Sequence, residues 1–177
     1  SIQIHDKQFV PFINRDKISR YVEFLANQIA EDIGPDEVPI FIGILNGSFM
    51  FAADFVRNYP NDCHITFVKM ASYEGVKSTE DIQRLIGLTQ DLTGRTVVIL
   101  EDIIDTGKTL HHYLPQLDSM QPASVKIAVL LNKKEALQFP VQVHYTCFDI
   151  PNKFVVGYGL DYDGLGRNSK DIYQLKA

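Results

Sequence analysis

Cysteine and long hydrophobic runs are both scarce in this chain. Its two cysteines, Cys63 and Cys147, cannot build a framework of disulfides. No apolar run approaches the ~18 residues of a membrane-spanning helix, and the first residues have no basic stretch followed by an apolar core, as a secretory signal would. We therefore expect a cytoplasmic protein without a membrane partner, in which both thiols stay reduced.

Positive charge is also in the minority. Lysine and arginine number 17 against 22 acidic residues, so the net charge is −5 and the pI lies near 5.5. This balance argues against a dedicated nucleic-acid binder, but it is compatible with a locally positive site for a small anion. With 177 residues, 45% of them hydrophobic and 22% charged, the chain has the size and composition of one globular domain, and we expect residues 1–177 to form it.

Helix-like and strand-like segments alternate along the chain. Residues 16–33 carry apolar side chains at helical spacing, which predicts a helix that ends at Gly34 and Pro35. Further helices are predicted at residues 48–59 and 106–120. Apolar runs predict strands at residues 38–45, 65–70, 96–100, 125–131, 143–148 and 154–158. The alternation indicates an α/β fold with a mostly parallel sheet flanked by helices.

Ligands of such sheets bind beyond the carboxyl ends of the strands, so the residues that follow Leu45, Leu100 and Leu131 are candidates for a site. The polar stretch at residues 72–81 is expected to be a mobile loop.

The segment after Leu100 carries the strongest chemical signal. Glu101 and Asp102 are adjacent carboxylates that repel each other unless they bind a partner such as a sugar diol or a hydrated cation. Residues 105–109 then form a glycine-containing turn that leads into a predicted helix. Such a turn directs several backbone N–H groups at one point and can hold a phosphate. A diol site beside a phosphate site describes a ribose 5-phosphate.

The end of this segment also resembles a P-loop. A P-loop requires a glycine five positions before Gly107, and Asp102 occupies that position. A nucleoside triphosphatase is therefore excluded. The alternative to a ribose 5-phosphate site is a surface turn with acidic residues that cap a helix.

Residues 97–109 resemble the phosphoribosyl-diphosphate signature of the type I phosphoribosyltransferases. The pattern is four hydrophobic residues, two acids, two hydrophobic residues and Asp-Thr-Gly-x-Thr. Residues 45–48, 130–133 and 150–162 resemble the diphosphate loop and the purine-binding region of the hypoxanthine-guanine branch of this family.

The resemblance implies transfer of ribose 5-phosphate from 5-phosphoribosyl 1-diphosphate to a 6-oxopurine, hypoxanthine or guanine. It also implies Mg²⁺ as cofactor, a homodimer or homotetramer, and a small hood built from the terminal regions.

The resemblance further implies roles for residues on the ribose side. Glu101 and Asp102 hold the ribose hydroxyls and, with Asp161, the magnesium ion. Asp105 lies near N7 of the purine as a general acid/base, with a helix N-cap as its plain alternative. Backbone amides of the 5-phosphate loop are expected to do most of the phosphate binding. The residues of that loop are Thr106, Gly107, Lys108 and Thr109.

Other matches concern the base, the diphosphate and a lid. By resemblance, Lys153 donates to the 6-oxo group and Lys133 helps to hold it there. Phe154 stacks on the ring, and the backbone of Val155 reads the edge of the base. The remaining matches are Arg167 and the loop of Leu45, Asn46 and Gly47 for the diphosphate, and Ser72 and Tyr73 for the lid.

The chain departs from the family pattern at two places. Asn46 stands where the family usually has lysine, and the peptide bond before it is expected to be cis, as it can be in the family. Residues 164–166 are Gly-Leu-Gly in place of a bulkier segment.

Two other functions are compatible with the pattern. One is a regulator of gene expression on the same fold. The other is a sister transferase for adenine, orotate or xanthine. The segment from Lys153 to Val155 favours 6-oxopurines over adenine and orotate, but it does not exclude xanthine.

Overall fold

The computed structural model describes residues 1–72 and 83–177. The helices are α1 (Arg15–Ile33), α2 (Phe49–Asn58) and α3 (Lys108–Asp118). The strands are β1 (Ile2–Ile4), β2 (Lys7–Ile13), β3 (Ile40–Ile44), β4 (His64–Ser72), β5 (Gln83–Ile86), β6 (Thr96–Ile104), β7 (Ser124–Asn132), β8 (Tyr145–Asp149), β9 (Val155–Val156) and β10 (Ile172–Leu175). Within the described ranges, no helix is both long and apolar enough to cross a membrane.

A six-stranded sheet forms the centre of the fold, in the order β5-β4-β3-β6-β7-β8. Its strands pair in parallel, except for β5, which runs antiparallel to β4. The prediction of a mostly parallel α/β sheet is therefore confirmed. All five residues of β3 are buried, as expected for a strand that is covered on both faces.

Helices cover the two faces of this sheet. The side chain of Phe41 packs with those of α1 and α2, whereas its neighbours Ile40 and Ile42 pack with the buried side of α3. Successive residues of a strand point to opposite faces, so one short apolar run supplies both cores. Helix α1 begins after Asn14, whose side chain accepts a hydrogen bond from the backbone N–H of Lys17.

A second sheet, in the order β1-β2-β10-β9, is built from the two ends of the chain. All of its pairings are antiparallel. It is the hood that the family resemblance implies. The strands at residues 2–13 and 172–175 were not expected from the sequence pattern.

Strand β6 is longer than the sequence predicts. The predicted strand ended at Leu100, but pairing with β7 continues to Ile104 opposite Asn132. Glu101 and Asp102 therefore belong to the strand and not to a loop. Helix α3 correspondingly begins at Lys108, two residues later than expected, and it includes Pro115.

Candidate active site

The carboxyl ends of β3 and β6 border a cavity of about 300 Å³. Residues 44, 45 and 47 line one side of it, and residues 101–110 line the other. The edge of the sheet that the strand pattern singled out is thus an open site.

The two adjacent carboxylates differ in their surroundings. Glu101 is buried, and this burial raises the pKa of its carboxyl group well above the ordinary value, with the neighbouring Asp102 raising it further. The side chain of Asp102 lies so close to Gly47 that a Cβ atom at that glycine would collide with the Asp102 carboxylate. A glycine at position 47 therefore lets the loop after β3 approach the acid.

The loop after β3 is held by its backbone. The peptide bond between Leu45 and Asn46 is cis, as expected. The N–H of Leu45 donates to the carbonyl of Val68 in the neighbouring strand. On the far side, a Cβ atom at Gly159 would collide with the carbonyl oxygen of Gly47. The loop thus lies between the acids of β6 and the hood segment that follows β9.

The predicted phosphate loop turns into α3 at Gly107. This residue has φ of 84° and is the N-cap of the helix. The carbonyl of Thr106 accepts hydrogen bonds from the N–H groups of Gln138 and Phe139, at 2.8 and 3.0 Å. The loop is therefore supported from behind by residues 137–141. The N–H of Lys108 donates to Oγ1 of Thr106 at 3.3 Å, and the N–H groups that follow in the first turn of α3 are in position to bind an anion.

Asp105 forms an ion pair with Lys133. Its carboxylate lies 3.2 Å from the ammonium group of the lysine. The Lys133 side chain is 6% exposed and that of Asp105 is 52% exposed. Asp105 is not the N-cap of α3, so that alternative was wrong. Lys133 is a buried residue that contacts the candidate acid/base, and the sequence analysis had not anticipated this contact.

The candidate base-binding residues lie at the edge of the hood. Lys153 and Phe154 are exposed, whereas Val155 is buried. The ring of Phe154 is backed by Phe9 and Tyr162, at centroid distances of 6.0 and 5.7 Å. Phe154 nevertheless remains 42% exposed.

Asp161 and Arg167 meet in one ion pair. A guanidinium nitrogen of Arg167 lies 3.3 Å from Oδ1 of Asp161, and another donates to the carbonyl of Gly159 at 2.7 Å. Gly159 also contacts Gly47. Arg167 is therefore linked to the loop after β3 through its hydrogen bond to Gly159 and the contact between the two glycines. Asp161 also accepts a hydrogen bond from the N–H of Gly164.

A metal ion at this site would need ligands beyond the protein. Across residues 1–72 and 83–177, no group of three or more His, Cys, Asp or Glu residues could hold a metal ion. The carboxylates at the cavity fit a cation such as Mg²⁺ that keeps several waters and takes its other ligands from a bound phosphate.

Residues 14–163 match the phosphoribosyl transferase domain. The chain belongs to this family. A hypoxanthine-guanine phosphoribosyltransferase of Streptococcus pneumoniae (strain R6) is 39% identical over 165 residues, which cover 93% of this chain and 91% of that protein. A crystal structure of a hypoxanthine-guanine phosphoribosyltransferase from Bacillus anthracis is 32% identical, with a TM-score of 0.86 over 97% of this chain and 99% of that one. The hypoxanthine phosphoribosyltransferase of Trypanosoma cruzi is 30% identical, with a TM-score of 0.86 over 99% and 95% of the two chains.

The family resemblance inferred from the sequence is thereby confirmed, and the chain is a phosphoribosyltransferase by family. The structure brings many of the predicted site residues to one edge of the sheet. They are Leu45, Gly47, Glu101, Asp102, Asp105, Thr106, Gly107, Lys108 and Thr109 at the cavity, with Lys133 joined to it by its ion pair. Their individual roles stay predictions.

Some predicted residues lie elsewhere. Ser72 is the last residue of β4, and Tyr73 lies outside the described residues, as does most of the expected loop at 72–81. Asn46 is exposed and does not line the cavity.

The sequence analysis also missed two residues that support the site, Gly159 and Tyr162. Both fall within the segment that resembles the purine-binding region. Only the folded chain shows that one abuts Gly47 and the other abuts Phe154.

Proposed function

We propose that this phosphoribosyltransferase acts in purine salvage. It transfers ribose 5-phosphate from 5-phosphoribosyl 1-diphosphate to N9 of hypoxanthine, and of guanine, and releases diphosphate. The observation that carries the proposal is the cavity at which two carboxylates, the ion pair of Asp105 with Lys133, and the N-terminus of α3 meet. The names of the relatives from S. pneumoniae and B. anthracis support the choice of base.

The donor has three parts that match three parts of the cavity. Its 5-phosphate binds the loop at residues 106–109, where backbone N–H groups converge. Its ribose hydroxyls face the carboxylates of Glu101 and Asp102. Its diphosphate lies toward Gly47, and the contact of this glycine with Gly159 brings Arg167 within reach of the same end of the donor.

We propose that Mg²⁺ would be held by the carboxylates of Glu101 and Asp102 and by oxygens of the bound donor. Asp161, the third ligand predicted from the sequence, pairs with Arg167 and does not line the cavity. The ion, when bound, neutralises charge on the diphosphate as it leaves. Because the described residues contain no preformed cluster of three potential ligands, the remaining ligands of the ion would be phosphate oxygens of the donor and water. Arg167 adds positive charge on the diphosphate side.

The base binds against the hood. Phe154 offers the free part of its ring for stacking, and Lys153 donates to the 6-oxo group. As N9 bonds to the anomeric carbon, the bond from that carbon to the diphosphate breaks, and the diphosphate departs with the electron pair. The proton on N7 passes to the carboxylate of Asp105, which Lys133 holds in place.

We propose that residues 1–177 work as one domain, in a homodimer or homotetramer, in the cytoplasm. The free thiols of Cys63 and Cys147 agree with a reducing compartment. In the T. cruzi relative, the C-terminal region has a role in oligomeric state and enzymatic activity.

The direct test is a panel of bases. The purified chain is incubated with 5-phosphoribosyl 1-diphosphate, Mg²⁺ and hypoxanthine, guanine, xanthine, adenine or orotate, and nucleotide formation is followed by ultraviolet absorbance. We expect turnover with hypoxanthine and guanine. Turnover with adenine or orotate alone would refute the assignment of a 6-oxopurine substrate. The absence of turnover with every base would refute the proposed transferase activity. Faster turnover of xanthine than of hypoxanthine and guanine would make xanthine the substrate in their place.

A further inference from the structure

The tip of the hairpin between β1 and β2 contacts a distant turn of the chain. We use "hairpin tip" for His5, Asp6 and Lys7. The hydroxyl of Tyr162 donates to the Asp6 carboxylate at 2.6 Å, and the Lys7 ammonium lies 5.6 Å from the centroid of the Tyr162 ring. Nε2 of His5 lies 3.1 Å from the carbonyl oxygen of Asp163, to which it donates. All three residues of the hairpin tip therefore contact the same turn.

The contacts between the hairpin tip and Tyr162 are electrostatically favourable. The hydrogen bond from Tyr162 lowers the pKa of Asp6, so the carboxylate is the bonded form at neutral pH. The ammonium of Lys7 interacts with the ring of the same tyrosine. The tyrosine is thus held both at its hydroxyl and at its ring.

Tyr162 in turn defines the position of Phe154. The two rings are nearly perpendicular, at 86°, with centroids 5.7 Å apart. Phe9, which is fully buried, contacts both rings at 6.0 and 6.1 Å. Phe154 is consequently supported by two aromatic neighbours, yet it remains 42% exposed.

We propose that the hairpin tip is a positioning element for base binding, in which Asp6 acts through Tyr162 to fix the orientation of the Phe154 ring. This inference rests on the proposed function, in which Phe154 stacks on the purine. In this proposal Asp6 and Tyr162 act through the Phe154 ring and not through the base itself. A ring that is already oriented loses less freedom when the base binds, so the affinity for the base is higher.

The donor side of the same turn has supports of its own. Asp161 accepts a hydrogen bond from Gly164 and pairs with Arg167, which is anchored on the carbonyl of Gly159. These contacts do not involve the hydroxyl of Tyr162. Loss of that hydroxyl should therefore affect the base more than the donor.

The chain offers a matched control. Tyr145 donates to Asp32 at 2.6 Å, the same kind of tyrosine-to-aspartate hydrogen bond at the same length. Tyr145 begins β8, at the opposite end from the carboxyl edge of the sheet. Tyr145→Phe removes an equivalent hydroxyl without touching the hood.

The experiment measures kcat and the two KM values with hypoxanthine and the donor, together with the melting temperature. Tyr162→Phe and Asp6→Ala should each raise the KM for hypoxanthine by about 3- to 10-fold, the size of one net hydrogen bond or aromatic pair. The donor KM and kcat should stay within about twofold. The double variant should be no worse than the worse single variant, because both remove the same interaction. Asp6→Asn, which keeps an acceptor, should recover part of the loss.

The outcomes separate this inference from the proposed function. A wild-type chain that does not use hypoxanthine refutes the proposed function, and the inference with it. If the wild type is active, an unchanged hypoxanthine KM in Tyr162→Phe overturns the inference alone. Equal rises in both KM values, or an equal rise with Tyr145→Phe, would also overturn it, because the hydrogen bond would then serve general stability.

Discussion

The substitution Asp105→Asn removes the negative charge that lies 3.2 Å from the ammonium of Lys133. Two unit charges at that distance attract by about 5 kcal/mol at an effective dielectric constant of about 20, and by about 1 kcal/mol in bulk water. Lys133 is almost fully buried but Asp105 is half exposed, so the true value lies between these limits. The asparagine still offers an oxygen acceptor. We expect a loss of about 2 kcal/mol in the free energy of unfolding.

The same variant should also lose catalytic power, because the amide cannot take the N7 proton. The expected fall in kcat is ~10²–10⁴-fold, with the affinity for the donor retained. For a chain of this length, the stability loss corresponds to a fall in melting temperature of roughly 4–8 °C.

Removing the second charge should restore stability but not activity. In the double variant Asp105→Asn/Lys133→Met, the buried ammonium that lacks its counter-ion is replaced by an apolar side chain of similar length. Replacement of both members of a buried pair is often neutral or stabilising, whereas removal of one is costly. We therefore expect the double variant to be more stable than Asp105→Asn and equally inactive.

Urea unfolding and steady-state kinetics on the wild type, both single variants and the double variant test this reasoning. The reasoning is refuted if Asp105→Asn unfolds at the wild-type midpoint, or if adding Lys133→Met lowers the stability of Asp105→Asn further. A wild-type kcat in Asp105→Asn would remove this residue from the mechanism, whatever the stability result.

Three further predictions concern the loop, the base and the buried acid. Gly107→Val should abolish donor binding and lower stability, because its Cβ would lie 2.8 Å from Leu137 and 3.0 Å from the carbonyl of Phe139, at a φ of 84° that a β-branched residue avoids; normal donor binding by calorimetry would contradict this. Lys153→Met should reduce the ratio of hypoxanthine to adenine turnover, since the lysine can only donate to the 6-oxo group; an unchanged ratio would transfer the selectivity to other residues. Glu101→Gln should weaken donor binding yet stabilise the fold at neutral pH. Burial raises the pKa of Glu101 above its ordinary value of 4.5, so ionisation of this carboxyl group opposes folding at neutral pH. The stability gained by Glu101→Gln should therefore disappear as the pH falls below 4.5. A difference in unfolding free energy between variant and wild type that persists below this pH would contradict the prediction.

The sequence does not reveal β5, which has no apolar run, but it predicts the inner strands β3, β6 and β7 well because their apolar runs are typical of strands covered on both faces. It places the end of β6 too early for the same reason. Glu101 and Asp102 interrupt the apolar run, yet pairing with β7 carries the strand through them to Ile104. Polar residues in a strand are compatible with the ladder where they face a cavity, so the end of the apolar run marks the site but not the end of the strand.

The pair of Asp105 and Lys133 illustrates a second limit. The residues are 28 positions apart. They meet because Ile104 of β6 lies opposite Asn132 of β7, and Asp105 and Lys133 are the next residues after each strand. Register is a property of the folded sheet, so the sequence predicts each residue as part of the site but not their contact. The strands of the hood were not predicted for a similar reason. They are stabilised by pairing between β2 and β10, which lie at opposite ends of the chain.

The division of the proposed site between two sheets explains why the two substrates should respond to different substitutions. The residues proposed to bind the ribose and the 5-phosphate stand on β6 and at the start of α3, where the strand ladder and buried neighbours fix the backbone. Residues on the base side stand at the hood, where Phe154 packs against Phe9 and Tyr162, and the hydroxyl of Tyr162 donates a hydrogen bond to Asp6. Changes in the sheet should therefore alter donor binding together with stability. Changes in the hood should alter the affinity for the base at little cost to the fold, because they leave the larger core intact.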